Sequence, residues 1–485
     1  MRISYCTAPC GSGKSYQAAT RMLDCPGRYV VVRDRVQAIE DYAQDLNRFL
    51  HSRQYLAVPV AKITSETGLS VRREVEAVPG RYNALPHIIV LITHKALMMS
   101  DFSEFQGWHL LIDETPVVLD RQELRTRRST EFFTRHYQLE PLNKEWSSVT
   151  LTRNGWETTP ADLESDDVAR SMRTFHQRVT LATPLPEHAP VKIKRVAASV
   201  QPAVVTNLQD WKEMEDGRQW TWFSVWSPRQ LEAFESVEFL ANGFDKSVTF
   251  ELIQTLNPHI EWEERRLTSS RTFQRRKVVI EYFAERHTAS MSLFETIAGK
   301  SYLGLIRDHL ADRDQIWMAN ERHADELVGM GGLKLQPHQA GSNAYAGYHA
   351  ATAIYSAKPS AETRGVMNFL GIDPSAWTRS YEHEAILQFV CRTSIRTPES
   401  NASVHFAVYD RVQADYLASY FRDQQHCEVE MFATDLGFAN VHRTVAGPRA
   451  KPLSVEDMNI KIADRRAKRL SRNGGVMIVD DRAPV

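Results

Sequence analysis

The run Ala8-Pro9-Cys10-Gly11-Ser12-Gly13-Lys14-Ser15 has the residue types that hold a chain of phosphates. Its glycines let the backbone curl so that the N–H groups of Gly11, Ser12, Gly13 and Lys14 point inward at a helix N-terminus, where the dipole favours negative charge. In that arrangement Lys14 reaches the outer phosphates and the Ser15 hydroxyl ligates Mg²⁺. An acidic pair, Asp113-Glu114, directly follows the apolar run Trp108-His109-Leu110-Leu111-Ile112. A strand-end aspartate can hold the same Mg²⁺, and the glutamate beside it can orient an attacking water. A third group, Gln388, Arg392 and Arg396, recurs at i, i+4 and i+8, so on one continuous helix the three side chains share a face. A glutamine and two guanidiniums there suit the sensing of a γ-phosphate and the neutralisation of charge building on it. A nucleoside triphosphate and Mg²⁺ are therefore the expected ligands.

The elements around these residues set the fold expectation. Arg2 to Thr7 favours a strand and Tyr16 to Leu23 a helix, which is the setting a phosphate loop requires. Further strands are expected at 27–33, 58–63, 87–92 and 108–112, with a helix from Asp34 towards Leu50; the alternation argues for a parallel α/β sheet. From 121 to 218 the rhythm loosens into an insertion, helical at first and irregular or β-like later. It resumes with a strand at 236–241 and a helix at 247–256. A second α/β unit then brings strands near 277–283, 315–318, 351–356 and 403–409, with helices at 293–310 and 411–422. The expected organisation is 1–120 and 219–265 for the first unit, 121–218 for the insertion, 266–435 for the second unit and 436–485 for a basic extension.

Composition narrows the class. A chain of 485 residues exceeds one core, and 42% hydrophobic with 25% charged residues describes a globular protein. No apolar run is long enough for a membrane span, and no leader is expected before the loop. Five cysteines without CxxC spacing argue against a disulfide framework or zinc site and for a reducing, cytoplasmic setting. With 59 basic against 60 acidic residues, any surface for a polyanion must be local. Arg121 to Arg128 and Lys461 to Arg469 are basic runs that either track a backbone or form solvated faces. The cluster Trp211, Trp220, Trp222, Phe223 and Trp226 reads as core on at least one face, with base stacking as the alternative.

Together APCGSGKS, the strand-ending DETP and QFVCRTSIR resemble motifs I, II and VI of superfamily 2 helicases. Arg33 stands where motif Ia does, Leu91 to Leu97 resembles motif Ib, Phe239 to Asn242 occupies the place of motif III, and Gly341 to Tyr345 resembles motif V. The likeness spans roughly 1–120 and 235–425. It implies two RecA-like P-loop domains with parallel sheets, an insertion in the first and a short C-terminal extension, with ATP between the two and a strand crossing both. Gly11 to Ser15 would bind nucleotide; Ser15 and Asp113 the metal; Lys14, Glu114, Gln388, Arg392 and Arg396 would act in turnover. Arg33, Thr93, His94, Gly341 and Asn343 would contact single-stranded or duplex nucleic acid, DNA ahead of RNA, although Thr93 could equally cap the following helix. Arg396 stands one position further from Gln388 than the family pattern has it, so either arginine can be the finger. Replication, recombination or packaging proteins would be partners. A terminase-type packaging motor and a non-catalytic nucleic-acid scaffold are the alternatives.

Overall fold

A computed structural model describes residues 1–52, 58–67, 70–124, 130–158, 163, 172–182, 204–214, 220–267, 271–337 and 344–437. The chain lays down β1 (Arg2–Cys6), β2 (Arg28–Arg33), β3 (Val60–Lys62), β4 (Ile88–Thr93) and β5 (Trp108–Asp113). A block of β6 (Leu119–Leu124), β7 (Tyr137–Pro141), β8 (Ser147–Leu151), β9 (Val204–Thr206) and β10 (Trp220–Val225) follows. Then come β11 (Ser236–Leu240) and β12 (Glu261–Glu264). The remainder is β13 (Arg276–Ala284), β14 (Ile316–Ala319), β15 (Leu333–Lys334), β16 (Ala350–Ile354), β17 (Val404–Asp410) and β18 (Cys427–Ala433).

These strands build three sheets. The first has seven strands in the order β12-β1-β11-β5-β2-β4-β3, and every pairing in it is parallel. The last has six, β15-β14-β16-β17-β13-β18, again all parallel. Parallel sheets need helices on both faces, so their central strands are apolar throughout. In the first sheet Val30, Val32, Val90, Ile92, Leu110 and Ile112 enter one core, while Val31, Ile89, Leu91 and Leu111 enter another on the opposite face. Two such sheets make the α/β fold of two RecA-like units. All strands of a parallel sheet end at one edge, so the residues after β1, β2, β4, β5 and β11 are brought together there.

Inserted in the sequence of the first parallel sheet, between β5 and β11, lies an antiparallel sheet, β6-β10-β9-β8-β7. The expected order, helix first and β later, is corrected: β6 opens the block, and short helices such as Thr130–His136 and Arg173–Ala182 punctuate it. Strand β10 is buried along its whole length. Its Trp220 and Trp222 pack with Phe133, Phe175 and Trp211, whereas Phe223 and Val225 turn to the first sheet's core. The tryptophans are therefore core on both counts, and Trp211 and Trp226 are buried with them.

Other differences have simple local causes. The helix expected at 293–310 breaks, because the Thr296 hydroxyl accepts the Gly299 N–H at 2.9 Å and starts a new helix, Ile297–His309. The charged stretch at 263–266 overlaps β12, an edge strand beside β1, where exposed glutamates are tolerated. No helix among the described residues is long and apolar enough to cross a membrane.

Candidate nucleotide-binding cleft

The phosphate loop follows β1 and ends in the helix Lys14–Asp24, whose N-cap Gly13 has φ 90°. Gly11 also has positive φ, 76°, and a Cβ added to it would lie 3.3 Å from Cβ of Arg396. Glycine is thus required there twice, by conformation and by the close approach of the second unit. The Lys14 ammonium is folded onto its own loop, donating to the Pro9 carbonyl at 3.1 Å and to that of Ala8.

Two strands over, β5 delivers Asp113 to the same edge. Its Oδ2 accepts the Ser15 hydroxyl at 2.9 Å, and Arg33, at the end of β2, forms a buried ion pair with it. Two oxygen donors converge there, the type Mg²⁺ selects, so the residues fit the metal; a cation would compete with Arg33 for the carboxylate. His94 Nε2 lies 2.9 Å from the Asp113 carbonyl, which fixes the ring proton on Nε2. Burial, with Arg33 nearby, pulls the His94 pKa down to about 3, so the ring is neutral. Glu114 is the one described non-glycine residue with positive φ, 68°, and its N–H extends the sheet to Leu240 O at 3.1 Å. Strain of this kind persists only where the surroundings fix it. Burial pushes the Glu114 carboxyl up to about 7, opposed by Arg33 and Arg392.

The opposite wall comes from the second unit, and here the one-helix reading of Gln388, Arg392 and Arg396 is corrected. The helix Glu384–Val390 closes when Cys391 N–H bonds Leu387 O and Arg392 N–H bonds Phe389 O, both at 3.0 Å. Arg396 belongs to a separate 3₁₀ turn, Ser394–Arg396. The three side chains nevertheless line one cleft, because the chain turns back rather than because a helix continues. Arg392 is buried with its guanidinium carbon 5.6 Å from the Phe389 ring centroid. Its pKa is pushed down to about 10 by burial, while the charge of Glu114 raises it. Gln388 donates to Glu384 at 3.3 Å.

Sequence reasoning missed Glu384. Its carboxyl accepts from Asn242, after β11, at 2.8 Å and from Tyr416 at 3.3 Å, so it joins the two walls. Burial raises it to about 8 despite these donors. A buried glutamate one helical turn before Gln388 was the only signal available.

The cleft holds about 620 Å³ and is lined by Gly11 to Tyr16, Arg33, Asp113 and Glu114 from the first unit and by Gln388, Arg392 and Arg396 from the second. Of the residues that the helicase resemblance assigned to a strand, Arg33, Thr93 and His94 are described. Arg33 is buried on Asp113, and His94 is fixed beneath it. The Thr93 hydroxyl accepts the Ala96 N–H at 3.2 Å and caps the helix His94–Met99. Both are consequences of position: a polar side chain at a parallel strand's end either meets the neighbouring carboxylate or starts the next helix. Gly341 and Asn343 lie outside the described residues, as do Arg125 to Arg128 and Lys461 to Arg469. Arg121 pairs within the antiparallel sheet with Glu123 and lies 3.7 Å from Glu362.

A glycine-rich loop after the first strand, a carboxylate at the end of a neighbouring strand and arginines from a second parallel sheet thus meet in one cleft of a two-unit α/β fold. No family model and no curated protein matches the chain. Among solved structures it is similar to an apo form of XPD, with TM-score 0.46, 10% identity, 89% of this chain and 97% of that one covered. An XPD helicase gives TM-score 0.45, 9% identity and coverages of 89% and 96%. S. tokodaii Xpd4 gives 0.36, 9%, 86% and 99%.

Proposed function

We propose that the chain is an ATP-dependent nucleic-acid translocase or helicase that hydrolyses ATP between its two RecA-like units. The observation that carries this reading is the single cleft onto which Lys14, Ser15, Asp113 and Glu114 of one unit and Arg392 and Arg396 of the other converge. The loop amides and Lys14 hold the phosphates. Ser15 and Asp113 hold Mg²⁺, which when bound neutralises charge on the outer phosphates. The Glu114 carboxylate orients water. Arg392, the guanidinium that feels Glu114, serves as the finger, and Arg396 seats the loop at Gly11. Asn242 and Glu384 tie the closed state together, so loss of the phosphoryl group frees the walls and the alternation moves a strand. The strand is single-stranded or unwinding nucleic acid, DNA ahead of RNA.

Turnover measured with single-stranded DNA, with RNA and without polymer tests the reading. Stimulation by a strand is expected. Equal rates in all three would leave an ATPase and remove the translocase.

A further inference from the structure

The cleft also holds a pair of groups that this mechanism does not use. Cys10, partly exposed, belongs to the phosphate loop; Cys391, 7% exposed, closes the helix before Arg392. Across the boundary between the units, Cys10 packs against the apolar cluster that holds Cys391. Both line the main cleft, and both line a second cavity of about 190 Å³ bounded by Pro9, Arg271, Phe273 and Tyr420. The Cys10 N–H donates to the Tyr420 hydroxyl at 2.8 Å, which pins the loop to the second unit's last helix, Arg411–Arg422. None of the remaining cysteines shares this contact: Cys6 lies in β1, Cys25 is exposed after the first helix and Cys427 begins β18.

We propose that Cys10 and Cys391 form a reversible disulfide on exposure to a hydroperoxide, locking the phosphate loop to the arginine-bearing turn. Both residues line the same two cavities, which sets them side by side across the boundary, and a disulfide there requires Cα atoms within about 7 Å of one another. The roles of the two thiols differ. The neighbouring Cys391 thiol and the charges of Lys14 and Arg396 favour a Cys10 thiolate against the cost of burial, whereas Cys391 is held protonated. The Cys10 thiolate attacks a peroxide oxygen, the O–O bond breaks and one water leaves, giving a sulfenic acid. The Cys391 sulfur then attacks Cys10; the S–S bond forms, the S–O bond breaks, and the Cys391 proton departs with the second water. Two thiols and one H₂O₂ thus yield one disulfide and two waters. A covalent tie between Cys10 and Cys391 prevents the walls from parting, so nucleotide exchange stops. That consequence rests on the function proposed above; the disulfide itself does not.

The full chain, treated with hydrogen peroxide and digested with trypsin without reductant, is read by fragment mass spectrometry. The expected product joins peptide 3–14 through Cys10 to peptide 380–392 through Cys391, two hydrogens lighter than the free pair, and disappears with dithiothreitol. Cys10 trapped as a sulfinic acid with no such cross-link, or a cross-link only to Cys25 or Cys427, overturns the pairing. ATP turnover should fall by about ten-fold or more on oxidation and return on reduction. Cys391→Ser, compared with its own untreated rate, should lose much less. Full cross-linking with unchanged turnover and nucleotide affinity would overturn the lock. A chain with no ATPase but with the cross-link would reject the proposed function and keep the thiol pair.

Discussion

The two parallel sheets end in opposite ways. At the end of the first, Asp113 and Glu114 face a cleft of about 620 Å³. Their compensation comes from Arg33, Arg392 and the Ser15 hydroxyl, partners that a phosphate and a metal can displace. The second sheet also gathers two buried carboxylates, Glu382 and Asp410, beside the ends of β16 and β17. These are saturated by fixed donors. Glu382 accepts from Ala357 N–H at 2.8 Å, Gln413 at 2.9 Å and Ser356 at 3.2 Å. Asp410 accepts from the N–H groups of Ala289 and Gln413 at 2.6 and 3.0 Å. Burial raises both acids, and neither lines the main cleft. A buried carboxylate whose lone pairs are filled by backbone is structure; one balanced by mobile cations in a cleft is chemistry.

The contrast can be broken by substitution. Lys14→Ala should abolish nucleotide binding and turnover, and Arg392→Ala should keep binding but slow turnover by on the order of 10³-fold. An unchanged single-turnover rate in Arg392→Ala would remove it as the finger and leave Arg396→Ala to be tried. At the second sheet, Glu382→Ala strands at least three buried donors and should cost about 1–3 kcal/mol of stability in urea unfolding. Its rate per folded molecule should stay near that of the parent; a collapse of turnover without loss of stability would erase the distinction between the sheets.

Proton linkage gives smaller effects. With the Glu114 carboxyl at about 7, its water-orienting form is lost below that pH. The pH profile of kcat/KM should therefore rise through about 7 and flatten above it, and Glu114→Gln should remove the step along with most of the rate. Glu384 offers the subtlest check. Its folded pKa, about 8, lies above the unfolded value, so the folded state binds the extra proton between about 4.5 and 8. Its contribution is full below the unfolded pKa and is lost as pH rises towards 8. Glu384→Gln should flatten that part of the stability curve, read as denaturation midpoints at pH 5 and pH 8; identical slopes would show that the wall-to-wall contact is not proton-linked.

Much of the first wall was legible because its chemistry is local. A short strand, small residues with two glycines, Lys14-Ser15 and a helix occupy consecutive positions, and their geometry follows from backbone sterics. Asp113-Glu114 was legible because a buried parallel strand reads as an unbroken apolar run that must end at the ligand edge. The second wall was only half legible: residue types suggested the role of Arg392 and Arg396, but periodicity placed them on a helix that in fact stops at Val390. Strands β12 and β18 escaped because glutamates alternate through edge positions where solvent tolerates them.

By itself, then, the sequence determined the glycine-rich loop between a strand and a helix, the acidic strand end, the α/β alternation and the presence of arginines to face them, since each depends on neighbours along the chain. Tertiary structure alone decided which charges are spent internally. It buried Arg33 on Asp113, turned Thr93 into a cap, joined Asn242 to Glu384 and set Cys10 against Cys391. The physical reason is that burial and charge pairing depend on distances between segments that sequence spacing does not encode, and in a low-dielectric cleft those distances set which groups are ionised, paired or available to react.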